Sequence, residues 1–142
     1  MIYVGIDTGV NTGFAIYNSK TRQLVDVQSI KIHQAMKRIE ELTEEYPKAV
    51  VVRVEDPRQR TWFGTERMPR DEERKKLQGV GSVKRDATIW EDFLIDLGIS
   101  YEMVPPKMNR TKLDQATFKA YTKWSKRTNE HGRDAAMLVY GF

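Results

Sequence analysis

The apolar run Ile2 to Ile6 stops at Asp7-Thr8-Gly9, a turn-forming triplet, and predicts a short buried strand. Gly13 to Tyr17 and Leu24 to Lys31 read as two more strands, separated by the turn Asn18-Ser19-Lys20. Connections this short make the three an antiparallel meander. From His33 to Tyr46 the period changes: Met36, Ile39, Leu42 and Tyr46 recur at helical spacing until Pro47 ends the pattern. Val50 to Val54 is almost wholly β-branched, as suits a central strand covered on both sides.

Residues 56 to 78 are polar, hold two prolines and show no sustained period, so they read as a long loop of the functional kind. Trp90, Phe93, Leu94 and Leu97 then mark one face of a helix stopped by Gly98. Ile99 to Val104 reads as a fifth strand closed by Pro105-Pro106. Leu113, Ala116, Thr117, Ala120, Tyr121 and Trp124 recur at spacings of three and four, which predicts another helix. A last helix is expected from about Glu130 to Tyr140. The pattern is an α/β fold in one domain over residues 1–142, a mixed sheet flanked by helices. Helical crossovers should set strands one, four and five parallel, with strand one central.

That order gives three acids a common address. Asp7 lies just past the end of strand one and Glu55 just past strand four. Asp134 lies near the start of the last helix, with His131 one turn before it. Parallel neighbours that end in carboxylates bring them to the same edge, where ligands of such sheets bind. Clustered carboxylates repel one another and are costly to bury unpaired, a conflict that a divalent cation resolves. Mg2+ and Mn2+ both take oxygen ligands, and Mn2+ also accepts imidazole. Taken singly, each acid has an ordinary explanation: a turn former, a strand-end acid, a helix-start acid. Their convergence favours the shared site.

Charge sharpens the picture. The net charge is +4, and seven cations stand against one anion between Pro105 and Thr128. Arg58 to Lys76 carries seven cations and four anions. Clustered cations suit a polyphosphate partner. No apolar stretch is long enough for a membrane span, and no signal-peptide pattern opens the chain. The absence of cysteine excludes disulfides, thiolate nucleophiles and cysteine zinc sites.

Four stretches carry a family resemblance. Gly5-Ile6-Asp7-Thr8-Gly9 with Thr12-Gly13-Phe14-Ala15 resembles the first motif of the RuvC family of Holliday junction resolvases, which have the ribonuclease H-like fold. Val52-Arg53-Val54-Glu55 resembles the second. Gly79-Val80-Gly81, read as opening a helix, resembles the third. His131-Gly132-Arg133-Asp134-Ala135-Ala136 resembles the fourth, in a His-x-x-Asp form where other resolvases carry Asp first. The resemblance implies a homodimeric endonuclease that cuts branched DNA with two Mg2+ or Mn2+ ions in bacterial or phage-infected cytosol. It implies Asp7, Glu55, His131 and Asp134 as ligands, and Lys107 against the scissile phosphate with Lys112 as the substitute. DNA contacts are expected from Gly79, Gly81, Arg85, Lys107, Arg110, Lys112, Lys119 and Lys123. Trp62 and Phe63 are either core anchors or platforms for unpaired bases.

Asp-Thr-Gly also opens aspartic proteases, but those are nearly all β, and this chain shows four helical stretches. Actin-like kinases need two domains of this kind to enclose ATP. Two readings stay beside the resolvase: a ribonuclease H-like enzyme for RNA–DNA hybrids, and a nucleic-acid binding module without catalysis.

Overall fold

A computed structural model describes residues 1–59, 70–106 and 112–142, leaving out the side chains of 73, 76, 77 and 80. Five strands form one mixed sheet in the order β3-β2-β1-β4-β5: β1 (Ile2–Asp7), β2 (Thr12–Asn18), β3 (Gln23–Ile30), β4 (Val50–Glu55) and β5 (Ser100–Val104). β1 to β3 make the antiparallel meander, and β1, β4 and β5 run parallel with β1 in the middle, as the connection lengths predict. The helices are α1 (Ile32–Glu45), α2 (Arg70–Leu97), α3 (Gln115–Thr122) and α4 (Glu130–Met137), with a 3-10 turn at Pro57–Gln59. No helix among the described residues is long and apolar enough to cross a membrane.

Strand alternation sorts the core into two layers. Ile2, Val4, Ile6, Phe14, Ile16, Val50, Val52 and Val54 pack with Ala35, Ile39 and Leu42 of α1 and with Trp90 and Leu94 of α2. The opposite face gathers Ala15, Tyr17, Leu24, Val27 and Val104 beneath Phe118 of α3 and Ala135 to Val139 at the end of α4. Asp7 follows Ile6 and Glu55 follows Val54, so alternation turns both acids toward the α4 face.

Three expectations about helices are corrected. α2 starts at Arg70, inside the stretch expected to be loop, so Gly79 and Gly81 lie within the helix instead of opening it. Its 28 residues span about 42 Å, against about 20 Å for a six-residue strand. No described side chain from Arg70 to Arg85 is buried. In α3 the buried side chains are Phe118 and Thr122, whereas Ala116, Thr117, Ala120 and Tyr121 are exposed. Asp114 caps its start by accepting from the Thr117 N–H, and Lys123 ends it in the left-handed conformation. The final helix stops at Met137, three residues short of Tyr140.

Candidate active site

Asp7 ends β1, and its partner across β2 is Gly13. Parallel register sets Ile6 beside Val54, so the next residues, Asp7 and Glu55, emerge side by side from neighbouring strands. α4 supplies the rest. It can lie close to the sheet because glycines stand under it. A Cβ on Gly5 would come within 2.0 Å of the Ala135 carbonyl oxygen, and one on Gly13 within 2.0 Å of that of His131. Either contact would force the helix off the sheet. Both glycines belong to the motif around Asp7, but their packing role depends on where α4 lands, 120 residues later in the chain.

The close approach brings the start of α4 onto the end of β1. His131 Nδ1 lies 3.2 Å from Asp7 Oδ2. Asp134, one turn on, is buried, and its charge reaches Asp7. Burial first, then Asp134, pushes the Asp7 carboxyl from its ordinary 3.8 up to about 6, although His131 and Lys112 pull it back. Burial likewise raises Asp134, with Lys112 opposing and Glu130 adding to the rise. Two aspartates thus face each other with too little positive charge between them.

Among the described residues, Lys112 brings an ammonium to this side of the edge. Its Nζ sits 2.6 Å from Glu130 Oε1 and 3.7 Å from Asp134 Oδ2. The Glu130 hydrogen bond, opposed by partial burial, holds its pKa above the usual lysine value. Arg133 fixes the segment that carries it: its guanidinium donates to the Leu113 carbonyl at 2.8 Å and to the Thr128 carbonyl at 3.0 Å. Neither Glu130 nor Arg133 stood out in the sequence. An exposed acid at a helix start and an arginine inside a motif have ordinary explanations until the fold brings Glu130 to Lys112 and Arg133 to Leu113.

The expected residues divide into three groups. Asp7, His131, Asp134 and Lys112 are brought together, and Glu55 is set beside Asp7 by register. Gly79, Gly81 and Arg85 are exposed on α2, and among the described residues nothing outside the helix's own backbone lies within 4 Å of where either glycine would carry a Cβ. Lys119 and Lys123 are exposed at α3. Trp62, Phe63, Lys107 and Arg110 lie outside the described residues.

Asp7, Glu55, Asp134 and His131 offer three carboxylates and an imidazole, a donor set suited to Mg2+ or Mn2+. As the side chains stand, Asp7 turns to His131 and Asp134 to Lys112. Among the described residues no three His, Asp or Glu side chains close on one point. The raised Asp7 and Asp134 nevertheless fit a cation, because positive charge there would relieve both at once.

A second acid cluster lies on the other face of the same edge. Asp56 follows Glu55 and is only 3% exposed. Its Oδ1 accepts from the Arg58 backbone N–H at 3.0 Å and from Arg58 Nε at 2.7 Å. Its Oδ2 accepts from Arg58 Nη2 at 3.0 Å and from Gln59 Nε2 at 3.2 Å. Burial works to raise this carboxyl, but the hydrogen bonds from Arg58 and Gln59 outweigh it and hold it below the ordinary value. Arg58, counted among the basic residues of 58–76, is therefore engaged inside the fold.

No protein-family model matches the chain, and no curated protein matches it.

Proposed function

We propose that the chain is a metal-dependent DNA endonuclease of the ribonuclease H-like fold that cuts phosphodiesters in branched DNA such as four-way junctions. One observation carries the reading: a half-buried aspartate from the first strand and a buried one from the last helix share one edge of the sheet, with their pKa values raised. A purely structural acid pair would be neutralised within the fold, whereas this one is suited to a cation. The four-motif resemblance to RuvC-type resolvases supplies the substrate class.

In this reading Asp7, Glu55 and Asp134 hold the metal, and His131 orients Asp7 or joins the ligands. When bound, a pair of divalent cations makes hydroxide accessible near neutral pH and offsets charge on the leaving oxygen. Lys112 presents an ammonium at the rim, exchanging Glu130 for a phosphate oxygen as DNA arrives. The exposed cations Lys119, Lys123 and Arg85 add affinity that falls with salt. Symmetric cuts across a junction need two such sites, hence a homodimer.

The test is a panel of labelled junction, flap, duplex and RNA–DNA hybrid substrates, with wild type and Asp7→Asn in Mg2+ and in Mn2+. Cleavage of branched DNA by wild type alone supports the proposal. Cleavage confined to the hybrid makes the chain a hybrid-specific nuclease. Binding without cleavage of any substrate makes it a binding module.

A further inference from the structure

The cluster around Asp56 does more than join α2 to the sheet. The Asp56 N–H donates to the Val104 carbonyl at 2.7 Å, which extends the β4–β5 ladder one residue beyond Glu55. Past that bond the chain turns at once into Pro57–Gln59, and the turn is closed by the Asp56 carboxylate. Arg58 then leaves the strand behind. Its Nη2 donates to Glu91 Oε1 at 2.9 Å and its Nη1 to Thr88 Oγ1 at 3.4 Å, both on α2. The Tyr101 hydroxyl of β5 donates to the other Glu91 oxygen at 3.1 Å. One guanidinium thereby ties the exit of β4 to α2, and Glu91 ties α2 to β5.

Only Asp56 of this cluster is fully buried, and an ion cluster that takes a carboxylate out of water is a poor way to gain stability, since well-packed apolar residues serve as well or better. It does fix geometry, because planar bidentate pairs tolerate little displacement. The end of β4 needs that. Strand ends fray readily, and Glu55 stands there in register beside Asp7, one residue before the chain leaves the sheet.

We propose that Asp56, Arg58 and Glu91 form a positioning device that holds Glu55 against Asp7 from the opposite face of the sheet, so that metal affinity depends on residues that never touch the metal. The inference rests on the metal-dependent reading above. It differs from a simple staple in one measurable respect: a staple affects unfolding alone, whereas a positioning cluster also affects the affinity of the site.

The experiment titrates Mn2+ into the full chain by calorimetry and follows exchange of the Asp56 amide hydrogen, for wild type, Arg58→Gln, Glu91→Gln and Leu94→Ala. Leu94 lies buried in the apolar core one turn past Glu91, so its truncation loosens the same helix while removing none of the polar groups of the cluster. Arg58→Gln is expected to weaken Mn2+ binding about tenfold and to speed Asp56 exchange. Glu91→Gln should do the same to a smaller degree. Leu94→Ala should lower the melting temperature and leave Mn2+ affinity within about twofold of wild type. Arg58→Gln that binds Mn2+ like wild type overturns the proposal, as does Leu94→Ala weakening binding equally. Wild type that binds no Mn2+ overturns the metal reading itself, and the cluster's role with it.

Discussion

Asp7 and Asp56 sit at the same edge of the same sheet, on opposite faces, and both are largely removed from water. Their titration is shifted in opposite directions. Asp56 has hydrogen-bond donors on both oxygens, among them a guanidinium, and is held below the ordinary carboxylate value. Asp7 has one imidazole contact and a second aspartate nearby, and is raised to about 6. Burial is the largest influence on each, and it pushes both upward. What differs is how completely the fold answers the charge. Asp56 is answered from within the chain, whereas Asp7 and Asp134 keep raised carboxyls that added positive charge would relieve.

The largest expected effect is on chemistry. Asp7→Asn should reduce junction cleavage to below about one per cent of wild type, while junction binding in a gel-shift titration stays within about threefold because phosphate contacts carry it. Retained cleavage would dissolve the contrast between the two aspartates.

Stability should respond with opposite signs on the two faces. Arg58→Ala strands Asp56 in a buried setting, and chemical denaturation at neutral pH should show a loss of about 3 kcal/mol. Asp7→Asn should instead stabilise the metal-free protein. The folded pKa of Asp7 lies above its unfolded value, so folding favours the protonated form and penalises the carboxylate. Above about pH 6 wild type carries the whole penalty, about 3 kcal/mol from a shift of about two pKa units. The advantage of Asp7→Asn should shrink as pH falls through 6 and vanish below about 4. Denaturation at pH 8 and pH 4 without metal checks the sign, and added Mn2+ should reverse the ranking at pH 8. Asp56 runs the other way: its contribution is present above its unfolded value and lost in acid.

The smallest effect concerns Lys112, whose side chain is 71% exposed. Lys112→Ala should change overall stability by less than about 1 kcal/mol. It should still enlarge the gain from Asp7→Asn, because a cation that pulls Asp7 downward is gone. A double-mutant cycle at pH 8 that shows strict additivity would remove Lys112 from the site.

Much of the architecture was legible from one dimension because burial leaves a period. Val50 to Val54, buried along one face and half-buried along the other, read as an interior strand, and β4 lies between β1 and β5. Short turns between β1, β2 and β3 required antiparallel pairing, and the helix before β4 required a parallel crossover. Strand ends alone set Asp7 beside Glu55. The start of α2 departs from the expected loop for the complementary reason. From Arg70 to Arg85 the helix buries nothing among its described side chains, so no apolar stripe marks it and the residues read as loop. In α3 the spacing of Ala116, Ala120 and Tyr121 was helical but pointed the wrong way. The core takes Phe118, and Tyr121 lies at the rim with its ring edge-on to that of Tyr140.

By itself, then, the sequence determined which segments are strands and helices wherever one side is buried, how the strands connect, and which acids end them. Those properties depend on neighbours two to four residues apart, within reach of a periodic pattern. Only the tertiary structure decided that α4 rests directly on Gly5 and Gly13, that His131 meets Asp7 across 124 residues, and that Asp56 is neutralised while Asp7 is not. These outcomes depend on where separate elements come to rest and on which few ångströms divide a carboxylate from the nearest cation. No local pattern encodes such distances, because they are set by packing of the whole core at once.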